Sequence, residues 1–376
     1  MKVGFVIDDS LDSTDGVQQY VLNLGSWMKR KGIDVHYLCG HSKRSDLEGV
    51  HSLAKKIPVR FNKNRLTIPL PSSSRAIRQL LVKEKFDVLH VQMPYSPMLA
   101  SRIIQLSPRS TVLVGTFHIA PYSKFHQSAT SVLGYVLRPN LRLFDEVFSV
   151  SSAAQSTAKK TFKINSKIMP NVVDYSVFNG FKQPKTTQKD IVFLGRLVNR
   201  KGCLELVKGY HLLSQQNGSS VPNLIIAGDG PDRQKIEDYI KKHTLSAKVK
   251  LLGRVSEQDK ANLLSSAKIA IFPSKGGESF GIVLIEAMAA GAGVVLGGNN
   301  PGYSEVLSSD KYIFNPKVPK DIADKLAEYL NKDLSQDHKF QHEIMKKYDI
   351  DLVAPKILSE YKTLIAKKTS ATHNRT

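Results

Sequence analysis

The sequence predicts an α/β protein made of two units, each a parallel sheet covered by helices on both faces. Three observations predict this fold class. Short β-branched runs alternate with helical patterns throughout the chain. The alternation restarts after Val172–Lys189, a polar stretch without periodicity that we take as the inter-domain link. The chain of 376 residues is also long enough for about two or three average domains.

The first predicted unit takes residues 1–171 and, from the far end of the chain, about 350–368. Its strands are expected at Lys2–Ile7, Asp34–Cys39, Phe86–Val91, Thr111–Phe117, Glu146–Val150 and Lys167–Met169. A helix with apolar residues at helical spacing from Val17 to Met28 connects the first two strands and ends at Gly32.

The second predicted unit takes residues 172–349. Its strands are expected at Asp190–Leu194, Asn223–Ala227, Lys248–Leu252, Lys268–Phe272, Gly293–Leu296 and Tyr312–Phe314. Two six-strand units imply two Rossmann-like domains that face each other across a cleft, with ligands beyond the carboxyl ends of the strands. The last helix, Asp351–Lys368, is expected to cross back to the first unit, and the polar tail 369–376 to be disordered.

Composition narrows the classes of function. With 41% hydrophobic residues the chain can bury real cores, so global disorder is excluded. The 54 Lys+Arg against 33 Asp+Glu give a net charge of +21, which indicates an anionic partner. No nucleic-acid-binding motif accompanies the charge, so nucleic acid is not the expected partner. The few Cys and His predict neither a disulfide framework nor a zinc-type cluster, and no apolar run is long enough to cross a bilayer. These features predict a soluble intracellular protein.

The positive charge is concentrated between His51 and Phe86, where Glu84 is the only acid. Apolar and basic residues alternate at helical spacing over Ser74–Lys85, with Ile77, Leu80, Leu81 and Val82 against Arg75, Arg78, Lys83 and Lys85. A basic amphipathic helix can lie on an anionic membrane surface. The alternative interpretation is a surface helix that packs its apolar side on its own sheet and leaves its charges in water.

The segment Gly276–Gly291 carries two carboxylates, Glu278 and Glu286, near the start and the third turn of a predicted helix. Glycines before the helix let backbone N–H groups approach a ligand, and a helix N-terminus favours phosphate. Such a helix end can bind a diphosphate while the acids bind hydroxyl groups. The alternative is a glycine-rich loop that opens a core helix, since Ile282, Leu284 and Ile285 are apolar.

The paired glutamates resemble the motif of family 4 retaining glycosyltransferases of the GT-B fold, and further segments match in order. Gly195–Gly202 is similar to the loop that bears the family's diphosphate-binding Arg and Lys, here Arg196 and Lys201. Gly228–Pro231 resembles a turn after the second strand of the nucleotide-binding domain. Thr116-Phe117-His118 and Asp15-Gly16-Val17-Gln18 resemble segments of the first domain. The matches run from residue 2 to about 365.

The resemblance implies roles for individual residues. The implied catalytic residues are His118, Arg196, Lys201 and Glu278. The implied donor-binding residues are Gly16, Arg196, Lys201, Val255, Glu278, Ser279, Phe280, Gly281, Ile282, Val283 and Glu286. Glu278 would bind the hydroxyls of the donor sugar and Glu286 those of the ribose. The protein's own cations would stabilise the leaving diphosphate, so no metal or other cofactor is required. By position alone, the acceptor-binding candidates are Gln18, Asn62, Arg65 and Lys124.

Three features resemble the bacterial phosphatidylinositol mannosyltransferases of this family. They are Gly16-Val17-Gln18, the run Gly276–Val283, and a basic amphipathic helix just before Phe86–Val91. The chain differs from these enzymes at Asp9, where they have an aromatic residue, at Asp15, where they have Gly, and at Ser256, where they have an acid. The resemblance implies a monomer on the cytoplasmic face of the cell membrane. There it would transfer a hexose from GDP-mannose, or from a UDP-sugar, to a lipid-linked acceptor. The alternatives are a soluble or polysaccharide acceptor, an epimerase or phosphorylase of the same fold, and a non-catalytic basic binding protein.

Overall fold

A computed structural model describes residues 1–12, 15–54, 56–61, 64–69, 73–94, 96–119, 134–179 and 189–373. The chain divides into two compact units. Unit 1 comprises Met1–Val172 together with Val353–Thr376, and unit 2 comprises Val173–Leu352. Each unit contains a parallel sheet, so the predicted fold class of two Rossmann-like sheets is confirmed.

The sheet of unit 1 has seven strands in the order β3-β2-β1-β6-β7-β8-β9, all paired in parallel. These strands are β1 (Lys2–Ile7), β2 (Asp34–Cys39), β3 (Val50–Ser52), β6 (Val88–Gln92), β7 (Val112–Phe117), β8 (Glu146–Ser149) and β9 (Lys167–Ile168). A separate antiparallel hairpin consists of β4 (Lys56–Phe61) and β5 (Asn64–Pro69).

The expectation of six strands in this unit was wrong, because the sequence analysis missed β3 and the hairpin. The edge strand β3 is three residues long and contributes only Val50 as an aliphatic residue, so it has no apolar run to detect. Its pairing with Leu38 and its neighbours in β2 comes from tertiary contact rather than from a local pattern.

Helices cover the sheet of unit 1. They are α1 (Gly16–Arg30), α2 (Ser74–Glu84), α3 (Leu99–Leu106) and α4 (Ser152–Phe162), with residues 134–141 also helical. From α2, Ile77 and Leu81 enter a hydrophobic cluster with Leu89 of β6 and Ile103 of α3. The apolar side of α2 therefore packs on its own sheet, as one of the two interpretations expected.

The C-terminal helix α13 (Ile350–His373) returns to unit 1, as the sequence predicts. Its Tyr361 is fully buried, and the Tyr361 Oη lies 2.5 Å from Nδ1 of His90 in β6. The expectation of a disordered tail is wrong for residues 369–373, which continue the helix. Thr369 and Ser370 direct their hydroxyls to carbonyls one turn back, so these polar residues are accommodated within it.

Unit 2 has a six-stranded parallel sheet in the order β12-β11-β10-β13-β14-β15. Its strands are β10 (Asp190–Leu194), β11 (Leu224–Ala227), β12 (Val249–Gly253), β13 (Ala267–Phe272), β14 (Val294–Gly298) and β15 (Ile313–Phe314). Its α-helices are α5 (Tyr175–Asn179), α6 (Cys203–Asn217), α7 (Arg233–Lys242), α8 (Glu257–Ser265), α9 (Ile282–Ala289), α10 (Pro301–Leu307), α11 (Pro319–Leu330) and α12 (Ser335–Lys346).

The order of the strands reverses between β10 and β13, because the chain proceeds from β10 to β11 on one side and from β13 to β14 on the other. Such a topological switch point opens a crevice at the carboxyl ends of the two strands, where ligands bind in doubly wound sheets. Across the residues with described coordinates, no helix is both long and apolar enough to span a membrane.

Candidate functional site

The candidate site of unit 2 lies where β10 and β13 end. The loop after β10 leads into a single 3₁₀ turn, Asn199–Lys201, and the loop after β13 contains Ser274 and Glu278. The backbone N–H of Lys275 donates to the carbonyl of Arg200 at 2.8 Å, which joins the two loops. The topological switch point therefore brings together segments that lie more than seventy residues apart in the chain.

Glu278 is the centre of a charged cluster between these loops. Its Oε1 lies 2.5 Å from Nη1 of Arg200 and 2.9 Å from Nζ of Lys201. The same oxygen accepts a hydrogen bond from Oγ of Ser274 at 2.8 Å. The Ser274 side chain is buried, and that of Glu278 is only 12% exposed. Two cations face one carboxylate, so the cluster has a net positive charge that suits an anionic ligand.

The charges explain the ionisation of Glu278. Burial by itself raises the pKa of a carboxyl group, but the charges of Lys201 and Arg200 outweigh it and hold the pKa of Glu278 below its ordinary value. Glu278 is therefore ionised at neutral pH and can accept hydrogen bonds from the hydroxyls of a ligand.

Glu286 lies in α9 and faces a buried lysine. Nζ of Lys260, from α8, lies 2.7 Å from Oε1 of Glu286 and 2.6 Å from Oε2 of Glu257. Burial raises the pKa of Glu286, and the pairing with Lys260 opposes this only in part. The pKa of Lys260 is raised because its two carboxylate partners outweigh the effect of burial, so the lysine remains charged.

The loop that carries Arg196 packs against the turn Gly228–Pro231. The N–H of Leu197 donates to the Asp229 carbonyl at 3.0 Å, and the N–H of Asp232 donates to the Leu197 carbonyl at 2.9 Å. Gly228 has a φ of +146°, and a Cβ there would lie 1.9 Å from the carbonyl oxygen of Gly195. Only glycine permits this approach of the two loops. Arg196 itself is exposed on the loop, whereas its neighbours Arg200 and Lys201 contact Glu278.

The N-terminus of α9 follows the cluster directly. Gly281 is the cap residue with φ of +111°, and a Cβ on it would lie 2.6 Å from the ring of Tyr303. Phe280 is buried and packs edge-on against Tyr348, with ring centroids 5.1 Å apart, so its side chain belongs to the core of unit 2. Ser279, Ile282 and Val283 are half-buried in the same turn, and Val255 is half-buried before α8.

In unit 1, His118 follows β7 and its Nε2 lies 2.8 Å from Oε1 of the buried Gln92. Its ring also packs edge-on against Tyr20 of α1, with centroids 5.2 Å apart. Burial lowers the pKa of His118 to about 3, so the imidazole is neutral near pH 7. Gly16 begins α1, and Asp15 before it has a φ of −72°. The turn therefore does not use positive φ at Asp15, and Asp can replace Gly there without backbone strain.

The acceptor-binding candidates have different outcomes. The Gln18 side chain is buried and donates to the Ser10 carbonyl at 3.1 Å, which places it inside the loop after β1. Arg65 lies in β5, opposite Arg60. Asn62 and Lys124 lie outside the described residues.

The basic residues of α2 lie on its outer side. Arg75, Arg78 and Lys83 line one surface depression with Ser74, Gln79 and Val82. Val82 is 62% exposed, so assigning it to the apolar side of the helix was wrong. It lies at a different angle around the helix from Ile77 and Leu81, and it interrupts the basic surface with an exposed aliphatic group. Lys85, just after the helix, is also exposed.

Several residues that the sequence analysis did not select contact the two glutamates. Arg200 and Ser274 bind Glu278, and Lys260 binds Glu286. Arg200 adjoins Lys201 in the loop that the analysis selected, so a basic pair was visible there. Ser274 and Lys260 gave no local signal, since one is a serine after a strand and the other is a lysine in a polar helix.

Comparison with known proteins identifies families that both units match. Residues 178–347 match the family described as glycosyl transferases group 1, and residues 14–177 match glycosyltransferase family 4. The phosphatidyl-myo-inositol mannosyltransferase of Mycobacterium tuberculosis is 28% identical over 381 residues, with 97% of each chain covered.

Solved structures with low sequence identity share the fold. The pneumococcal O-GlcNAc transferase GtfA, in complex with UDP and GlcNAc, aligns with a TM-score of 0.75 at 10% identity, covering 97% of this chain and 99% of that one. HepE of Anabaena, in complex with UDP-glucose, aligns with a TM-score of 0.72 at 16% identity, covering 96% and 100%.

Proposed function

Since the chain belongs to glycosyltransferase family 4, we propose that it transfers a hexosyl group, mannose first among them, from a nucleotide-diphosphate sugar to a lipid-linked acceptor. The observation that carries the proposal is the positive cluster of Arg200, Lys201 and Glu278 beside the N-terminus of α9. A helix N-terminus and adjacent cations bind diphosphate, and a nearby ionised carboxylate binds sugar hydroxyls.

In the proposed reaction, the bond between the anomeric carbon and the β-phosphate oxygen breaks while the acceptor hydroxyl oxygen bonds to that carbon. The proton of the acceptor passes to the departing phosphate, and attack from the same face retains the anomeric configuration. Lys201, with Arg196 or Arg200, offsets the charge that develops on the phosphate. Glu278 accepts hydrogen bonds from the hydroxyls of the sugar. In unit 1, His118 remains the proposed catalytic histidine, and its imidazole is neutral near pH 7.

The proposed ribose contact is Glu286, presented together with Lys260. The pair is nearly neutral as a unit, so hydroxyls can replace part of its hydrogen bonding without leaving an isolated buried charge. Glu257 directly follows Ser256, the position at which the mannosyltransferases have an acid. Its carboxylate could therefore take the place of that acid near the nucleotide base. This arrangement suits a purine or a pyrimidine nucleotide. GDP-mannose is proposed first because the mycobacterial relative is a mannosyltransferase.

The acceptor is proposed to be a phosphoinositide-type lipid, with the enzyme peripheral on the cytoplasmic face of the membrane. Support comes from the name of the mycobacterial relative and from the basic outer side of α2, with Arg75, Arg78 and Lys83. Anionic lipids attract such residues by about 1 kcal/mol each. The runner-up acceptor class is a soluble or polysaccharide sugar.

The test has two stages. First, a thermal-shift screen of GDP-, UDP- and ADP-sugars identifies the donor, because a bound donor stabilises the folded state by mass action. Second, the donor, labelled in its sugar, is incubated with phosphatidylinositol vesicles and separately with soluble glycans. We expect the wild-type protein to transfer the label to the lipid fraction and Glu278→Ala to leave the lipid unlabelled. Label in the soluble glycan alone would refute the lipid acceptor, and no stabilisation by any sugar nucleotide would refute the donor site.

A further inference from the structure

Two histidines and a glutamate from three separate elements converge at one edge of the sheet of unit 1, and none of the three is assigned to glycosyl transfer. His36 lies in β2, His51 in β3, and Glu84 is the last residue of α2. One ligand atom from each lies within 4.8 Å of the others. All three residues are half-buried.

The two imidazoles face each other. Nδ1 of His36 lies 2.8 Å from Nε2 of His51, and the rings are parallel to within 2° with centroids 5.1 Å apart. Nε2 of His36 lies 3.1 Å from Oδ1 of Asp34. A proton on Nε2 of His36 would donate to this carboxylate and leave the lone pair of Nδ1 directed at His51. Carboxylates orient metal-binding histidines in the same manner.

We propose that His36, His51 and Glu84 bind a zinc-type divalent cation. Imidazole nitrogen and carboxylate oxygen are preferred ligands of Zn²⁺, with bonds of about 2.0–2.2 Å. Two nitrogens at tetrahedral positions around such an ion lie about 3.3 Å apart. Nδ1 of His36 and Nε2 of His51, now 2.8 Å apart, would therefore separate by about half an ångström, and both rings would turn their lone pairs toward the ion. Water completes the coordination.

Lys2 competes with the ion for the carboxylate. Its Nζ lies 2.9 Å from Oε2 of Glu84 and 3.3 Å from Asp34. The metal must displace this ammonium group from Glu84, so the lysine weakens binding. The Lys2 side chain is 28% exposed and can turn toward solvent. Because Lys2 competes with the ion, removing the positive charge of Lys2 should tighten metal binding. A histidine pair with a purely structural role would not show this effect.

The site would connect the end of α2 to β2 and β3. Leu38 of β2 already shares a hydrophobic cluster with Ile77 and Leu81 of α2, whereas β3 is only three residues long. A bound ion would hold the basic helix α2 against the sheet. The ligand spacing of fifteen and thirty-three residues matches no metal motif, which explains why the sequence analysis predicted no zinc-type cluster.

The test is isothermal titration of the full chain with ZnCl₂, and in parallel with MgCl₂. We expect one equivalent of Zn²⁺ to bind and Mg²⁺ not to bind, because Mg²⁺ prefers oxygen ligands. His51→Gln should weaken Zn²⁺ binding at least about tenfold, and Lys2→Gln should tighten it. The control is the double variant His211→Gln with His243→Gln. These two histidines are also a close pair of rings, but they are not among the three proposed ligands.

Co²⁺ absorption in the visible range gives an independent readout of nitrogen coordination, and circular dichroism checks that each variant is folded. Retained one-equivalent binding in the control, loss in His51→Gln and tighter binding in Lys2→Gln would support the site. Absence of Zn²⁺ binding to the folded wild type, or equal binding to wild type and His51→Gln, would overturn it. Weaker binding in Lys2→Gln would also overturn the role given to Glu84.

Discussion

At the scale of single residues, Glu278 organises the candidate site because one of its oxygens meets three partners. Arg200, Lys201 and Ser274 all contact Oε1. The carboxylate holds the two cations close together although they repel each other, and the serine satisfies it further. A diphosphate would then meet positive charge that is already positioned, which reduces the reorganisation required in the transition state.

The first prediction concerns Lys201, whose side chain is 18% exposed and whose Nζ lies 2.9 Å from Oε1 of Glu278. Lys201→Ala removes one cation from the leaving-group side, and loss of a donor of this kind typically raises the barrier by about 3 kcal/mol. We expect the rate of sugar transfer to fall by about a hundredfold or more, with the fold retained. Steady-state turnover with the identified donor measures it.

The matched control for Lys201 is Lys320→Ala in α11. Lys320 forms an exposed ion pair with Asp324 at 2.8 Å, and such surface pairs contribute little. It should leave turnover unchanged. Near wild-type turnover in Lys201→Ala would show that the Lys201 ammonium group does not stabilise the leaving phosphate, and the site assignment would be wrong.

At the scale of elements, α2 packs against the core on one side and is exposed to solvent on the other. Ile77 and Leu81 anchor it in the core, while Arg75, Arg78 and Val82 face outward. The core contacts keep the helix folded without lipid, so the outer charges can be changed without loss of the structure.

The second prediction uses that separation. Arg75→Glu with Arg78→Glu should reduce sedimentation with anionic vesicles, because each basic residue contributes about 1 kcal/mol of attraction at such a surface. The wild type should not sediment with zwitterionic vesicles. The control, Lys241→Glu with Lys242→Glu, makes the same charge change on α7 of unit 2. Equal loss in both variants would indicate a net-charge effect and refute a specific role for α2.

The third prediction concerns the turn between β11 and α7. Gly228→Ala places a methyl group 1.9 Å from the carbonyl oxygen of Gly195 and should destabilise unit 2 by several kcal/mol. Gly218→Ala also occurs at positive φ, +58°, but nothing lies within 4 Å of the added Cβ. Gly218→Ala should therefore lose only about 1–3 kcal/mol, the cost of the strained backbone conformation alone. Urea unfolding followed by far-UV circular dichroism compares them, and equal losses would contradict the close-approach explanation.

At the scale of the whole molecule, the buried titratable groups of unit 1 make the stability of the protein depend on pH. Unit 1 buries His90 between Tyr361 and Thr116, at 2.5 Å and 2.6 Å. Burial lowers the pKa of His90 to about 3, and that of His118 to about 3. Burial raises the pKa of Asp8 to about 6, which acts in the opposite direction.

The fourth prediction is that acid weakens unit 1. As pH falls below 6.5, the unfolded histidines gain protons that the folded ones resist until about pH 3, so stability is lost over that range. Protonation of folded Asp8 near pH 6 offsets part of the loss. We expect roughly 2 kcal/mol from His90 alone between pH 7 and pH 5.

Trp27 reports this transition directly, because it is the single tryptophan of the chain and is buried in unit 1. Urea titrations followed by its fluorescence at pH 7 and pH 5 give the difference in the free energy of unfolding. The comparison variant His90→Gln keeps hydrogen-bonding capacity but does not titrate, so its pH dependence should be smaller. An unchanged dependence would refute the contribution of His90.

The sequence by itself determined the two-unit α/β organisation, nearly all strands of the two sheets, and the segments that end beside the switch point of unit 2. Local apolar patterns carry this information, because a buried parallel strand requires a short β-branched run and a loop near phosphate requires glycine. Glu278 was selected from its place at the start of a predicted helix, and Lys201 through the resemblance of its loop to a known family.

Only the tertiary structure decided which side chains meet. Arg200 contacts Glu278, Lys260 reaches Glu286 from another helix, and β3 joins the sheet without an apolar run. The convergence of His36, His51 and Glu84 likewise depends on the strand order. Such contacts join residues far apart in the chain, and no local periodicity records the distance between two loops or the direction of a side chain after the sheet has formed.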